Sequence, residues 1–117
     1  MKARLIGFGA VEVDGQRYER DVVVADGKVA RRHKKASRHL RERYGHTPLS
    51  LAEPIPWGCR RLIIGTGVDG ALPIEDDVLA EARRRGVEVV AVPTDEACRL
   101  LVDADPATTA AILHVTC

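Results

Sequence analysis

The sequence predicts a single α/β domain that opens on an antiparallel β-meander and closes on a β-α-β-α-β unit. Three observations predict it. Two Asp-Gly pairs, Asp14-Gly15 and Asp26-Gly27, each separate short β-prone runs, a strong short-range hairpin signal. The second half alternates compact apolar runs with amphipathic stretches, as in strands joined by crossover helices. With 117 residues the chain has the size of one domain, and it can bury a core without disulfides or metal.

The elements follow in order. Arg4 to Phe8 and Ala10 to Val13 are β-prone, and Gln16 to Tyr18 reads as a short return strand after the first turn. Asp21 to Ala25 has the composition of a buried strand, and Lys28 to Arg32 leads out of the second turn. All of these are assigned to one small meander. Ala36 to Tyr44 is a short polar helix with Gly45 as its stop. Thr47 to Trp57, with Pro48, Pro54 and Pro56, is an extended connection that Trp57 anchors over the sheet.

Arg60 to Ile64 is the next strand. Glu75 to Arg85 is a helix, with Ile74, Val78, Leu79 and Ala82 on one face and Gly86 just past its end. Val87 to Val92 is almost pure β-former. Thr94 has the chemistry of an N-cap, and Asp95 and Glu96 suit the positive end of the following helix. Ala97, Leu100 and Leu101 give that helix its buried face. Ala110 to Val115 is the last strand, with Ile112 and His114 on one face and Ala111, Leu113 and Val115 on the other. A β-α-β-α-β order favours adjacent parallel strands and right-handed crossovers.

Composition bounds the function. No apolar run approaches the roughly 20 residues of a membrane span, and the first residues lack a secretory pattern. Cys59, Cys98 and Cys117 are few, odd in number and widely spaced, which fits free thiols in a reducing, cytoplasmic setting. Net charge is +1, but Arg31 to His46 holds seven Lys/Arg, three of the four His and one acid, Glu42. That stretch reads as a solvated polar helix or an arm for an acidic partner. The alternative is weak polyanion binding through Arg31 to Arg43. Tyr44 is its single aromatic, so nucleic-acid bases are poorly provided for.

The sharpest motif is Gly65-Thr66-Gly67-Val68-Asp69-Gly70, a literal G-x-G-x-x-G after a strand. Such a loop can hold an anion on its backbone N–H groups at the carboxyl end of a parallel strand. A dinucleotide site needs more. Its helix opens within the motif, whereas Ala71-Leu72-Pro73 intervenes here. The ribose-binding acid is missing after Val92, and only about 25 residues follow that strand. The loop is read as a tight turn, with a small anion or carboxylate site as the alternative and no nicotinamide or flavin cofactor.

His114 and Cys117 could ligate a metal, but on a strand they point to opposite faces and no second pair exists, so no metal site is assigned. His114 is read as a satisfied strand histidine and Cys117 as a structural thiol, each with a chemical role as the alternative. No catalytic residue is assigned.

The ordered set "GFG", "YERDVVVADGKVARR", "LIIGTGVDGAL", "GVEVVAVPTDEA" and "AAILHVTC" resembles the adipogenesis-associated Mth-type domain family, which includes the mitochondrial complex I assembly factor 3. The resemblance spans nearly the whole chain. It implies one three-layer domain (residues 1–117) with a mixed central sheet and an N-terminal β-subdomain, and no established reaction. Gly65, Thr66 and Gly67 would fall in the family's glycine turn, Thr94 at its threonine position, and His114, Thr116 and Cys117 at its terminus. Leu100-Leu101 stands where the family commonly has Tyr-Asn, and "DADPATT" lacks its usual Gly-Arg.

The expected function is a binding or assembly module, with a protein partner and no membrane. Its working face would be the cleft lined by Gly65, Thr66, Gly67, Asp69, Thr94 and Asp95. A small-molecule enzyme using that cleft and Cys117 is the alternative. A pocket with a perturbed titratable group would favour the enzyme, and a flat apolar patch the module.

Overall fold

Both Asp-Gly pairs form the turns that their chemistry predicts. Asp14 (φ 50°) with Gly15 (φ 83°), and Asp26 (φ 52°) with Gly27 (φ 72°), carry positive φ at both central positions. That geometry matches the twist of the strands it joins. In the computed structural model, which describes residues 1–117, the first turn links β2 (Ala10–Val13) to β3 (Gln16–Tyr18), and β1 (Ala3–Gly7) pairs with β2 on its other side. These three strands are a separate antiparallel sheet.

The second hairpin does not belong to that meander, contrary to the sequence reading. β4 (Val22–Ala25) and β5 (Lys28–Arg31) join the main sheet, in the order β5-β4-β8-β6-β7. The apolar content of β4 explains this. Val22 and Val24 face one side and Val23 and Ala25 the other, and each pair contributes to a different core. A strand apolar on both faces needs the middle of a sheet covered twice.

β6 (Arg61–Gly65), β7 (Glu88–Val92) and β8 (Thr109–Leu113) are parallel, and β4 pairs antiparallel with β8. The sheet is therefore mixed, with β8 at its centre and every residue of β8 buried. On one face lie α3 (Thr94–Val102) and the meander, with Val11, Val13, Ala97 and Leu101 packed on Ile63 and Leu113. On the other lie α2 (Asp76–Arg85) and the proline-rich segment, with Leu49, Ile55, Val78 and Ala82 packed on Leu62, Ile64 and Ile112. These are the three layers. Trp57 packs on the second core beneath the guanidinium of Arg85, 5.4 Å above its ring.

The basic stretch departs from its expected form. Lys34–Leu40 is a 3-10 segment, and only Arg41–Tyr44, here α1, is α-helical, ending at Gly45. Ala36 is exposed, while Ser37 is buried.

Candidate functional site

The glycine loop is closed by the chain itself. Seven consecutive amides are committed to partners within the protein. Thr66 N–H donates to Val92 C=O, Gly67 N–H to Thr94 Oγ1, Val68 N–H to Thr116 C=O and Asp69 N–H to Cys117 C=O. Gly70 N–H donates to Gly67 C=O, Ala71 N–H to Cys117 C=O and Leu72 N–H to Thr66 C=O. No N–H of the loop is left for a phosphate, so the loop presents no anion cradle of the dinucleotide type. Thr116 and Cys117 occupy the place where such a ligand would sit.

Gly67 shows why glycine stands there. Its φ is +110°, and a Cβ would lie 2.2 Å from the Cys117 carbonyl carbon. A Cβ on Gly65 would meet Thr94 Oγ1 at 2.9 Å and the Thr94 Cα at 3.1 Å. Thr94 does not cap its helix, as the sequence implied. Its hydroxyl accepts from Gly67 N–H at 2.8 Å and donates to His114 C=O, which ties the loop to the end of β8. Of the six residues expected to line a cleft, Gly65, Thr66, Gly67 and Thr94 are buried packing positions. The side chains of Asp69 and Asp95 point to solvent, and Asp95 faces Arg99 at 3.6 Å.

The opposite side of the same terminal segment carries a different constellation. Beyond β8, His114 N–H donates to Gly65 C=O, and Val115 N–H donates to Asp21 Oδ1 at 2.9 Å. Asp21 Oδ2 meets His114 Nδ1 at 2.8 Å and accepts from Arg32 Nη1 at 2.9 Å. Arg32 also grips Glu53 through Nε and Nη2, both at 2.8 Å, and donates to Pro48 C=O. Ser37 Oγ donates to Glu53 Oε2 at 2.6 Å and lies 2.6 Å from Ser50 Oγ. The sequence assigns Arg32 to a solvated basic face, and the structure corrects this: it is 3% exposed and fully paired. No buried side-chain N or O lacks a partner.

Electrostatics keeps the members of this cluster ionised. Burial opposes ionisation of Asp21, but the hydrogen bond and charge of His114, the Val115 N–H and Arg32 outweigh it and hold the carboxyl below its ordinary value. Burial likewise disfavours the Arg32 cation, and its hydrogen bond to Glu53 and the charges of Glu53 and Asp21 overcome that and raise it. An ionised Asp21 only accepts, so the imidazole turns its Nδ1–H inward and leaves Nε2 toward the Thr116 hydroxyl at 3.2 Å.

His114, Thr116 and Cys117 form one wall of an open pocket of about 240 Å³. Lys34, Arg38, Arg41 and His46 line the rest, with Thr47 and the edge of Arg32, and no Asp or Glu side chain. Of the seven Lys/Arg from Arg31 to Arg43, only Arg32 is in an ion pair. Elsewhere Arg4, Arg17, Arg61, Arg84, Arg85 and Arg99 all face carboxylates. The sequence showed the charge run but not its focus. Asp21 and Glu53 were missed; the one clue was an acid opening the apolar run Val22-Val23-Val24.

A family described as "Protein of unknown function (DUF498/DUF598)" matches residues 4–112. The chain belongs to this family. Among solved structures, a conserved hypothetical protein, PH1505 from Pyrococcus horikoshii OT3, is 28% identical over the full length of both chains, with a TM-score of 0.77. A structure named MT938 is 31% identical, with 94% of this chain and 93% of that one covered and a TM-score of 0.66. A Bordetella pertussis protein described as a Mth938-like domain shares the fold at 20% identity and a TM-score of 0.52, over 93% and 82% of the two chains. No curated protein matches the chain. The Mth-type resemblance is thereby established, and no reaction accompanies it. No helix is long and apolar enough to cross a membrane.

Proposed function

We propose that this domain is a binding module that takes an anionic ligand in the pocket between the basic segment and the end of β8. The observation that carries this reading is a pocket with no acidic side chain whose side-chain cations, Arg32 aside, form no ion pair. The backbone below the pocket is held by Arg32, Ser37 and Glu53, so Lys34 and Arg38 stand on a fixed support. A ligand then meets a preorganised charge array with little ordering left to do. Charge-assisted hydrogen bonds to phosphate or carboxylate oxygens are the matching chemistry.

The test is calorimetric titration with inorganic phosphate at low ionic strength. Saturable binding is expected, weakened by salt and by Arg41→Gln. Heats that fail to saturate, or that ignore the substitution, would remove the reading.

A second reading, a docking module for a protein partner, is favoured by Phe8. It is 66% exposed at the tip of the β1–β2 hairpin, beside the half-exposed Ile6. Pull-down with Phe8→Ser against the unaltered protein separates the two readings. Three unpaired thiols support a reducing, cytoplasmic setting. The enzyme reading loses its loop donors, because the loop amides bind acceptors within the chain, Thr116 and Cys117 among them.

A further inference from the structure

We infer that the ligand of this surface is a chain of linked phosphates, recognised by its charges and not by any base attached to it. The inference rests on the anion-binding reading above and extends it. A second concavity, of about 420 Å³, adjoins the first along the 3-10 segment. The two share Arg32, Lys34 and Arg38, and the second adds Arg31, His33 and Lys35. Neither contains an Asp or Glu side chain. They therefore form one basic trough with Lys34 and Arg38 at its middle.

Its length exceeds a single anion. Lys34–Leu40 is 3-10 in form, and at about 2 Å per residue Lys34 and Arg38, which both concavities share, stand roughly 8 Å apart along its axis. Ser37 is buried and tied down onto Glu53 and Ser50, which fixes the segment that carries both cations.

Base recognition has no provision here. Neither concavity is lined by Phe, Tyr or Trp; their aromatic rings are the imidazoles of His33, His46 and His114. Tyr44, the nearest in sequence, donates its hydroxyl to Glu75 and carries Arg43 over its ring at 5.7 Å. Single-strand nucleic-acid sites depend on stacking platforms, and the trough offers cations and imidazoles without a large Phe, Tyr or Trp face.

The experiment compares inorganic phosphate, inorganic tripolyphosphate and adenosine triphosphate at one fixed ionic strength, on the full chain, by titration calorimetry. Tripolyphosphate is expected to bind about tenfold tighter than phosphate, since one added charge-assisted contact is worth a factor of that order. Arg31→Gln, which alters the second concavity and leaves the lining of the first unchanged, is expected to lower that ratio toward one. Adenosine triphosphate is expected to match tripolyphosphate. Equal affinities for phosphate and tripolyphosphate would overturn the inference and leave the single-anion pocket standing. If nothing binds, both fall. Adenosine triphosphate or a short single-stranded RNA binding far tighter than tripolyphosphate would assign the surface to nucleotide bases and overturn the inference as well.

Discussion

Replacing Gly67 by alanine should be among the most damaging single-methyl changes available in this domain. The added Cβ would lie 2.2 Å from the Cys117 carbonyl carbon, 2.5 Å from its oxygen and 2.8 Å from the Thr116 oxygen. These are backbone atoms, so the terminal segment must move as a unit. Moving it breaks three hydrogen bonds, from Val68, Asp69 and Ala71 N–H to Thr116 and Cys117 C=O. At about 1 kcal/mol each, with about 1–2 kcal/mol for forcing an L-residue to positive φ, the loss comes to about 4–5 kcal/mol. That is a large part of a typical domain's roughly 5–15 kcal/mol. Urea unfolding, followed by circular dichroism, measures it. With a slope of about 1–3 kcal/mol/M, the midpoint should fall by about 2 M. Gly70→Ala is the control. It shares positive φ (69°), but its nearest atoms lie at 3.6 and 3.7 Å, so only the backbone strain of about 1–2 kcal/mol remains. If the two variants unfold at the same midpoint, the close approach of the terminal segment to the loop is wrong.

Other expectations follow from the same contacts. Arg32→Ala leaves Asp21 and Glu53 buried without their cation and should cost about 3–5 kcal/mol, whereas Arg38→Gln should stay within about 1 kcal/mol; denaturant melts of both variants compare them. Asp21 titrates below 3.8 when folded, so its stabilisation is complete above that ordinary value and is lost as pH falls through the lower folded one; carbon-13 NMR of its carboxyl should show a midpoint under 3.8, and a higher one refutes the network. Burial pushes the Cys98 thiol up to about 11, so it should resist a disulfide reagent at neutral pH until the protein unfolds, while the half-buried Cys117 reacts first. NADH and flavin adenine dinucleotide should produce no saturable change in Trp57 fluorescence, because the loop amides are taken.

Legibility differed between elements for physical reasons. Hairpins and parallel strands were readable because their signals are local: Asp-Gly turns, two-residue alternation and the apolar face of a helix. The placement of β4 and β5 was not. An antiparallel hairpin looks the same whether it continues a meander or borders a parallel sheet, and only the apolar content of both faces of Val22 to Ala25 hinted at the answer. At the site, the glycines were visible but their partner was not, because the residues that fill the loop lie about 50 positions later. Asp21 and His114 are 93 residues apart, and no local pattern links them. Arg32 looked like its neighbours in a charge run and differs from them only through Asp21 and Glu53.

Both sides of one short segment explain the arrangement. On one side, Thr116 and Cys117 satisfy the glycine loop; on the other, Val115 and His114 bind Asp21, which holds Arg32 and through it Glu53 and Ser37. The basic segment has little apolar contact of its own, since Ala36 is exposed and Leu40 and Tyr44 are only half-buried. Repulsion among its free cations opposes a fixed conformation. The buried Asp21–Arg32–Glu53 cluster supplies the restraint that packing does not. A hydrophobic replacement of similar volume could equal its stability, because desolvation offsets much of the attraction in buried ion pairs. Such a replacement would not orient the imidazole of His114 or hold Ser37 beneath the trough. The charge network is therefore better understood as a device for position than as a source of stability, and it aligns the free cations along the pocket.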